Sequence, residues 1–480
     1  MSVAAPPPLP RSSSGSFPAP LPNPAPPRLE MGGAPASTWT TPKRLQVSLG
    51  AIWIAAFLLF LAVFLGTRQH YAAIKAVGLD AAPSIVAAQR IKAGLADMDA
   101  NVANELIAPP GRGAESEKGY NARRLEVSQT LVKAAENITY GDAERVPIQT
   151  LTYNLGNYEA LVAQARLLHG RGGDTQTLTL YRQANLLMHQ TLLPAADALD
   201  KANADPLADA YGRQKTASAG TRGVVWAAGL LLLTILLATQ VWLSRRTRRT
   251  LNPLLLAATA LGFVFLALTV GRLGEASGHL KVAKEDAFDS IHALWQARAV
   301  AYDANADESR WLIDRSHARE YQEAFFQKSA QIAAIPEGYT YTTVAASSQS
   351  LPPGFHGFLA DELRNVTFPG EQDEATGVLR DYGQYAAIDG QVRSLENAGH
   401  SAEAVALCTG YAPGQSNEAY GRFDDALGRT LDINQKAFDG AVGAAFADLS
   451  ALPILAPVAM LALALLSWLG LRPRLREYEA

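Results

Sequence analysis

The side chains able to do chemistry in this sequence are scattered histidines, a single cysteine, one bunched run of carboxylates and one bunched run of arginines. The histidines, including His169, His189, His292, His317, His356 and His400, stand apart without ligand spacing, so no imidazole metal site is expected. Cys408 has no second cysteine to pair with, which excludes an intramolecular disulfide and a thiolate-built metal centre. The run DANADE, Asp303 to Glu308, lacks the glycine and ligand positions of a calcium loop and reads as a solvated helix face. No H-E-x-x-H, G-x-S-x-G, P-loop or dinucleotide-binding glycine pattern is present. These absences lead to the expectation of a non-enzymatic protein with no catalytic residue, cofactor or metal. The net charge of −3 gives no argument for nucleic-acid binding.

The arginines are more informative. LSRRTRRTLNP, Leu243 to Pro253, places Arg245, Arg246, Arg248 and Arg249 between two apolar runs. There are four such runs, at 45–66, 223–243, 254–271 and 452–471, nearly free of charge and of membrane-spanning length. They lack the alternation of barrel strands, so each reads as a transmembrane helix. The first begins too far along the chain for an ordinary signal peptide and reads as a retained anchor.

Short loops rich in Lys and Arg stay in the cytoplasm. Lys43 and Arg44 precede the first span, the arginine hairpin 244–253 follows the second, and Arg472, Arg474 and Arg476 follow the fourth. If every span crosses once, all three clusters fall on one side. The expected protein is a multi-pass cell-membrane protein with both termini cytoplasmic and 67–222 and 272–451 extracytoplasmic. The seven arginines from Arg245 to Arg476 become candidate topology signals and contacts for a cytoplasmic partner or anionic lipid. Asn252-Pro253 favours a turn into the third span.

The elements follow. Residues 1–44 form a Pro-rich tail, expected to be disordered and to serve as a tether or polyproline II ligand. Both outer segments carry helical periodicity, and each has room for four helices. Pro194 should kink or end its helix, and the helix from Tyr158 should close on Gly170, Gly172 and Gly173. Residues 107–119, 335–354 and 367–372 read as interruptions, and the second segment should carry an extra loop or short strand. Asn137 and Asn365 head formal glycosylation sequons.

The two segments also resemble each other. APSIVAAQRIKAGLADMDANVANELI from Ala82 lies without gaps on FDSIHALWQARAVAYDANADESRWLI from Phe288, pairing Ser84 with Ser290 and Asp97 with Asp303. GNYEALVAQARLLHGRGG from Gly156 lies on GQYAAIDGQVRSLENAGH from Gly383, pairing Tyr158 with Tyr385 and Arg166 with Arg393. Matches in the same order between the same spans imply tandem duplication. The fold class is therefore all-α: four transmembrane helices and two extracytoplasmic four-helix-bundle-like domains.

The basic hairpin RRTRRTLNP, the four spans and the alanine-rich phrases YEALVAQARLLHGRGG and LPAADAL resemble the GlnX family of actinobacterial membrane proteins. That resemblance, over about Leu45 to the end, implies two partners. Outside is a GlnH-like lipoprotein that binds glutamate or aspartate; inside is a PknG-like Ser/Thr kinase. It carries over no ligand or catalytic residue. The expected function is a non-enzymatic signalling adaptor in the lipid bilayer, relaying the lipoprotein's state to the kinase, which is a separate protein because little chain follows the fourth span here. A homodimer is compatible, by analogy with signalling bundles. Two other classes fit the layout less well: an envelope assembly factor using the bundles as spacers, and a channel or transporter component, which the lack of mid-span ionisable residues disfavours.

Overall fold

A computed structural model describes residues 40–109, 111–247, 251–347 and 350–477 of the chain. The Pro-rich tail up to residue 39, together with Arg248 and Arg249 of the hairpin, lies outside the described residues. Among the described residues every regular element is a helix, apart from one isolated antiparallel bridge between Ala334 and His356.

Four helices dominate: α1 (Thr41–Ile107, 67 residues), α4 (Asp174–Thr247, 74 residues), α5 (Pro253–Ile313, 61 residues) and α11 (Ser416–Arg476, 61 residues). Two more helices, α2 (Ala114–Glu136) and α3 (Asp142–His169), complete the first outer bundle between α1 and α4. Between α5 and α11 lie α6 (Ala318–Ala333), the short α7 (Tyr341–Ala346) and α8 (Phe358–Asn365), α9 (Glu371–Asn397) and the short α10 (Ser401–Thr409). Thus the second repeat breaks the counterparts of α2 and α4 into pieces, α6 and α8 with α7 and the bridge inserted, and α10 ahead of α11. The segment expected to be a loop over 107–119 is helical from Ala114, where Glu115 and Glu117 favour a helix N-terminus.

Each long helix has one stretch apolar enough to cross a membrane. At about 1.5 Å per residue, α1 runs roughly 100 Å, against about 30 Å of hydrocarbon. The exposed large apolar side chains concentrate in these stretches: Ile54, Phe57 and Leu65 in α1, Leu230 and Leu237 in α4, Phe263 and Val264 in α5, Ile454 and Leu461 in α11. In water so broad an apolar belt would aggregate; in lipid it is solvated. Inside the belt, small residues bring the helices close. A Cβ on Gly229 would stand 2.4 Å from a methyl of Leu266, and one on Gly66 2.7 Å from Thr221.

Asn252 closes the turn between α4 and α5. Its Oδ1 accepts from the backbone N–H of Leu254 (3.1 Å) and Leu255 (3.3 Å), so it caps α5, with Pro253 at the first position. Its Nδ2 donates to Gly470 O of α11 (2.7 Å), and its own carbonyl accepts from Gln240 of α4 (3.1 Å). One asparagine therefore ties three helix ends together.

The duplication is visible in backbone detail. Each membrane-emerging helix widens into a π-helical segment at the aligned place, Ala76–Ala81 in α1 and Val282–Phe288 in α5. The two sequons are paired clasps. Asn137 donates to Ser84 Oγ (2.9 Å) and Asn365 to Ser290 Oγ (3.0 Å), the two serines that the alignment pairs. After each clasp a buried glutamate accepts from two backbone N–H groups: Glu144 from Thr139 (2.6 Å) and Tyr140 (2.5 Å), Glu371 from Thr367 (2.7 Å) and Phe368 (2.9 Å). Gly172 and Gly399 both close their helices at positive φ, +76° and +85°, which only glycine adopts without strain.

Pro194, expected to kink or end its helix, does not end it. A third π-segment, Met188–Leu192, precedes it, and α4 runs on without a break. The widened turn relieves the contact between a proline ring and the carbonyl four residues back. Pro83 stands in the same relation to Ala76–Ala81.

Candidate functional site: a buried charged seam between the repeats

The outer part of α1 (82–107) and that of α5 (289–313) pack along each other more extensively than any other helix pair. One apolar core runs through both repeats. Every residue from Ala301 to Leu312 is buried, so α5 has no solvated face there. The DANADE run is accordingly not the solvated face expected from sequence: Asp307 is 1 % exposed and Glu308 0 %. Alanines at 301, 304 and 306 let neighbouring helices approach, and Asp303, Asp307, Glu308 and Arg310 meet partners from five other helices.

At the centre sits Arg310, the largest fully buried side chain. Its guanidinium bonds Asp307 Oδ1 (2.5 Å), Asp303 Oδ1 (3.1 Å), the hydroxyl of Tyr181 (3.2 Å) and Asp99 of the other repeat. Asp99 also accepts from Tyr158 Oη (2.9 Å) and Asn185 (3.2 Å). Lys328 of α6 reaches Asp303 and Asp307, both at 2.6 Å, and His189 of α4 lies 2.9 Å from Asp303. Burial alone would raise the Asp303 carboxyl, but Lys328, His189 and Arg310 together hold it well below the usual carboxylate range. Burial pushes Tyr158 and Tyr181 well up, so both stay protonated, Tyr158 donating to Asp99 and Tyr181 accepting from Arg310.

A second cluster lies one turn away. Glu308 accepts from Ser416 (2.8 Å) and Tyr385 (3.2 Å), while Ser309 donates to Asn104 of the first repeat (2.5 Å) and lies 3.3 Å from Cys408 Sγ. Burial, then the nearby Asp389 carboxylate, raises Glu308 to about 8, so it is protonated at neutral pH. Arg393 bonds Asp389 (2.8 Å) and lies over the rings of Phe325 (4.7 Å) and Trp311 (4.8 Å). Its alignment partner Arg166 likewise bonds a carboxylate, Glu105 (2.8 Å), and lies over Tyr120 (4.3 Å).

Buried ion clusters contribute little net stability, because desolvation offsets attraction. What they do is penalise every arrangement in which the partners separate. The seam therefore defines one register of repeat against repeat. It also leaves a cleft. Gly78, Ala82, Val86 and Arg90 of α1, with Lys133 of α2 and Phe438 of α11, line a cavity of about 410 Å³. Arg90 stacks over Trp295 of the other repeat, 5.3 Å from the ring centre.

The sequence-predicted arginines are elsewhere, at the far end of the spans. Arg245 and Arg246 are exposed in the last turn of α4, where cations complement the helix dipole. Arg472 stacks on Trp468 (4.7 Å), Arg474 pairs with Glu477 (2.6 Å), and Arg476 ends α11 exposed. Arg246 and Arg474 line one cavity together with Thr41 and Leu45 at the start of α1. Sequence reading missed Arg310, Asp99 and Lys328, and took Glu308 for part of a solvated face. The available signal was a charged run inside an alanine-rich helix, aligned with a second alanine-rich helix.

Residues 73–212 match the family model of the actinobacterial sensor domain. No curated protein and no solved structure matches the chain. The matched stretch begins just before the first π-segment and takes in the first repeat with its half of the seam. Through that repeat the chain is similar to actinobacterial sensor domains, which fits a signalling or sensing role in a multi-pass membrane protein.

Proposed function

We propose that the protein is a non-enzymatic transmembrane signalling adaptor. Its two outer repeats receive a docked binding protein, and a change in their packing passes along α1, α4, α5 and α11 to a cytoplasmic partner. The observation that carries this reading is the continuity of those four helices from the buried seam to the arginine-rich ends. A continuous helix transmits a shift in register, and a packed charged seam favours discrete arrangements over graded ones. The docked partner shifts the equilibrium by binding one arrangement better than the other.

Both termini and the hairpin are cytoplasmic in this reading, with 67–222 and 272–451 outside. The resemblance to the GlnX family supplies the finer assignment: a lipoprotein that binds glutamate or aspartate outside, and a Ser/Thr kinase inside.

Photocrosslinking in membranes tests it. One photoreactive residue replaces Tyr153, 74 % exposed on α3, and another replaces Arg245. The expected result is capture of a solute-binding lipoprotein at the outer position, changed by added glutamate or aspartate, and of a kinase at the inner one. Outer capture unaffected by either amino acid would replace the relay with the spacer reading.

A further inference from the structure

We infer that the cleft between the first repeat and α11 binds a small zwitterion with an apolar body, the class to which apolar α-amino acids belong.

Two cavities make up the cleft, of about 410 and 290 Å³, and Arg90 of α1 and Gln435 of α11 line both. The larger one suits a small molecule by volume. Its apolar lining comes from both repeats: Ala82 and Val86 of α1, Phe288 and Ile291 of α5, and Phe438 of α11.

The charged groups of the cleft divide by repeat. Arg90 and Lys133 of the first repeat and Asp439 of α11 line the larger cavity. The smaller one adds Arg123, Glu126, Arg298 and Asp432 of α11. Two of these cations are occupied: Arg123 by Asp97 and Glu126, each at 2.6 Å, and Arg298 by Asp424 at 2.6 Å. Arg90 and Lys133 remain on the first repeat, Asp432 and Asp439 on α11. Among the described residues these four form no ion pair, so they stand beyond ion-pair distance of one another. Arg90 lies over Trp295 and Asp439 accepts from Gln435 (2.9 Å), contacts that leave both ionic charges uncompensated.

An anion would satisfy the cations and leave two carboxylates; a cation would do the reverse. A zwitterion meets both sides, its carboxylate toward the first repeat and its ammonium group toward α11, while an apolar side chain covers the lining between. Glutamate or aspartate would set a second carboxylate against that apolar lining, at a desolvation cost. Such a ligand would bridge the two repeats. The inference goes beyond the docking of a binding protein and needs none, so its failure leaves the relay standing.

The test is isothermal titration calorimetry of the purified full chain in nanodiscs, with empty nanodiscs as the blank. The probes are leucine, glutamate, isocaproate (leucine without its ammonium group) and isoamylamine (leucine without its carboxylate). Leucine should bind saturably, and the other three about tenfold more weakly or worse. R90Q/K133Q should bring leucine down to the affinity of isoamylamine, and D432N/D439N to that of isocaproate. A merely structural role would not produce this crossed pattern. V86W, which fills the apolar lining, should weaken leucine by about tenfold or more with the thermal midpoint unchanged. K436Q, next to Gln435 but lining neither cavity, should match the parent. No saturable leucine binding, undiminished binding in V86W, or an equal loss in K436Q would each overturn the proposal. Isocaproate bound as tightly as leucine, and unaffected by D432N/D439N, would replace the zwitterion site with one for apolar anions.

Discussion

Gly78, Ala82 and Val86 in the first repeat align with Lys284, Phe288 and His292 in the second. The small side chains open the 410 Å³ cavity on the side of α1 and α2, and Phe288 and Ile291 of α5 with Phe438 of α11 form its opposite wall. The large ones close the related place. Lys284 bonds Asp289 (2.5 Å) and lies over Phe288 (5.7 Å), while His292 stacks on Phe288 (6.0 Å) and reaches Asp200 of α4 (3.1 Å). The seam is unequal in the same sense. The alignment sets Val102 against Glu308 and Asn104 against Arg310, so the second repeat carries more of the buried charge, to which the first contributes Asp99. Two copies of one bundle have thus diverged: the first repeat lines the cavity with small side chains, while the second packs closely around Arg310 and around Phe288, which forms the cavity's opposite wall. The result is an accommodating side and a fixed side.

The largest test of this division is at Arg310. R310M leaves Asp99, Asp303 and Asp307 facing one another with only Lys328 and His189 to compensate. Removing one partner from a buried cluster costs about 3–5 kcal/mol. Denaturant unfolding of the full chain in nanodiscs, followed by the fluorescence of outer tryptophans, should show that loss. A cost below about 1 kcal/mol would mean that the seam is not what holds the repeats in register.

Glu308 comes next. Its carboxyl keeps a proton in the folded chain up to about pH 8, while an unfolded glutamate releases it near its ordinary value of 4.5. Between these values the folded state binds more protons, so this group's contribution makes stability fall as pH rises. E308Q mimics the protonated form and removes that slope. At pH 9 the variant should exceed the parent by about 5 kcal/mol, with the two converging below pH 4.5. Parallel pH–stability curves would place the Glu308 proton elsewhere.

The clasps allow a gentler comparison. Asn365 donates to Ser290 Oγ and to the carbonyls of Glu285 (2.9 Å) and Asp286 (3.0 Å) inside the π-segment. Asn137 donates only to Ser84, which in turn donates to Asp80 O (3.0 Å). N365A should therefore cost about 1–3 kcal/mol, and N137A about 1 kcal/mol or less, by thermal unfolding of the two variants side by side. Equal costs would make the two clasps interchangeable.

The parts of this protein legible in sequence are those where one face meets a different medium. The spans announce themselves because the whole helix surface is apolar, and the helix from Tyr158 because one side packs while the other is wet. The Asn252 turn was readable because Asn-Pro has few other uses. The seam was hidden for the opposite reason. From Ala301 to Leu312 every face is buried, so no apolar period distinguishes inside from outside. A buried aspartate that finds an arginine from another helix is written in the same letter as a solvated one. The two clasps were hidden similarly, since Asn-x-Thr followed by a glutamate spells a loop clasp as well as a formal sequon. The serine alignment held the clue, because Ser84 and Ser290 are the residues that the two asparagines hold.

The smallest effect sharpens the comparison most directly, by exchanging one aligned pair. V86H puts the second repeat's residue into the first repeat's cavity, where there is room for an imidazole at the cleft edge, so stability should stay within about 0.5 kcal/mol of the parent. H292V removes a ring stacked on Phe288 and leaves Asp200 without its bond, and should cost about 1 kcal/mol. Denaturant midpoints of the two variants, taken together, decide the point. If V86H costs as much as H292V, the first repeat's cavity is not slack. The division between an accommodating side and a fixed side would then fail, even with every helix in place.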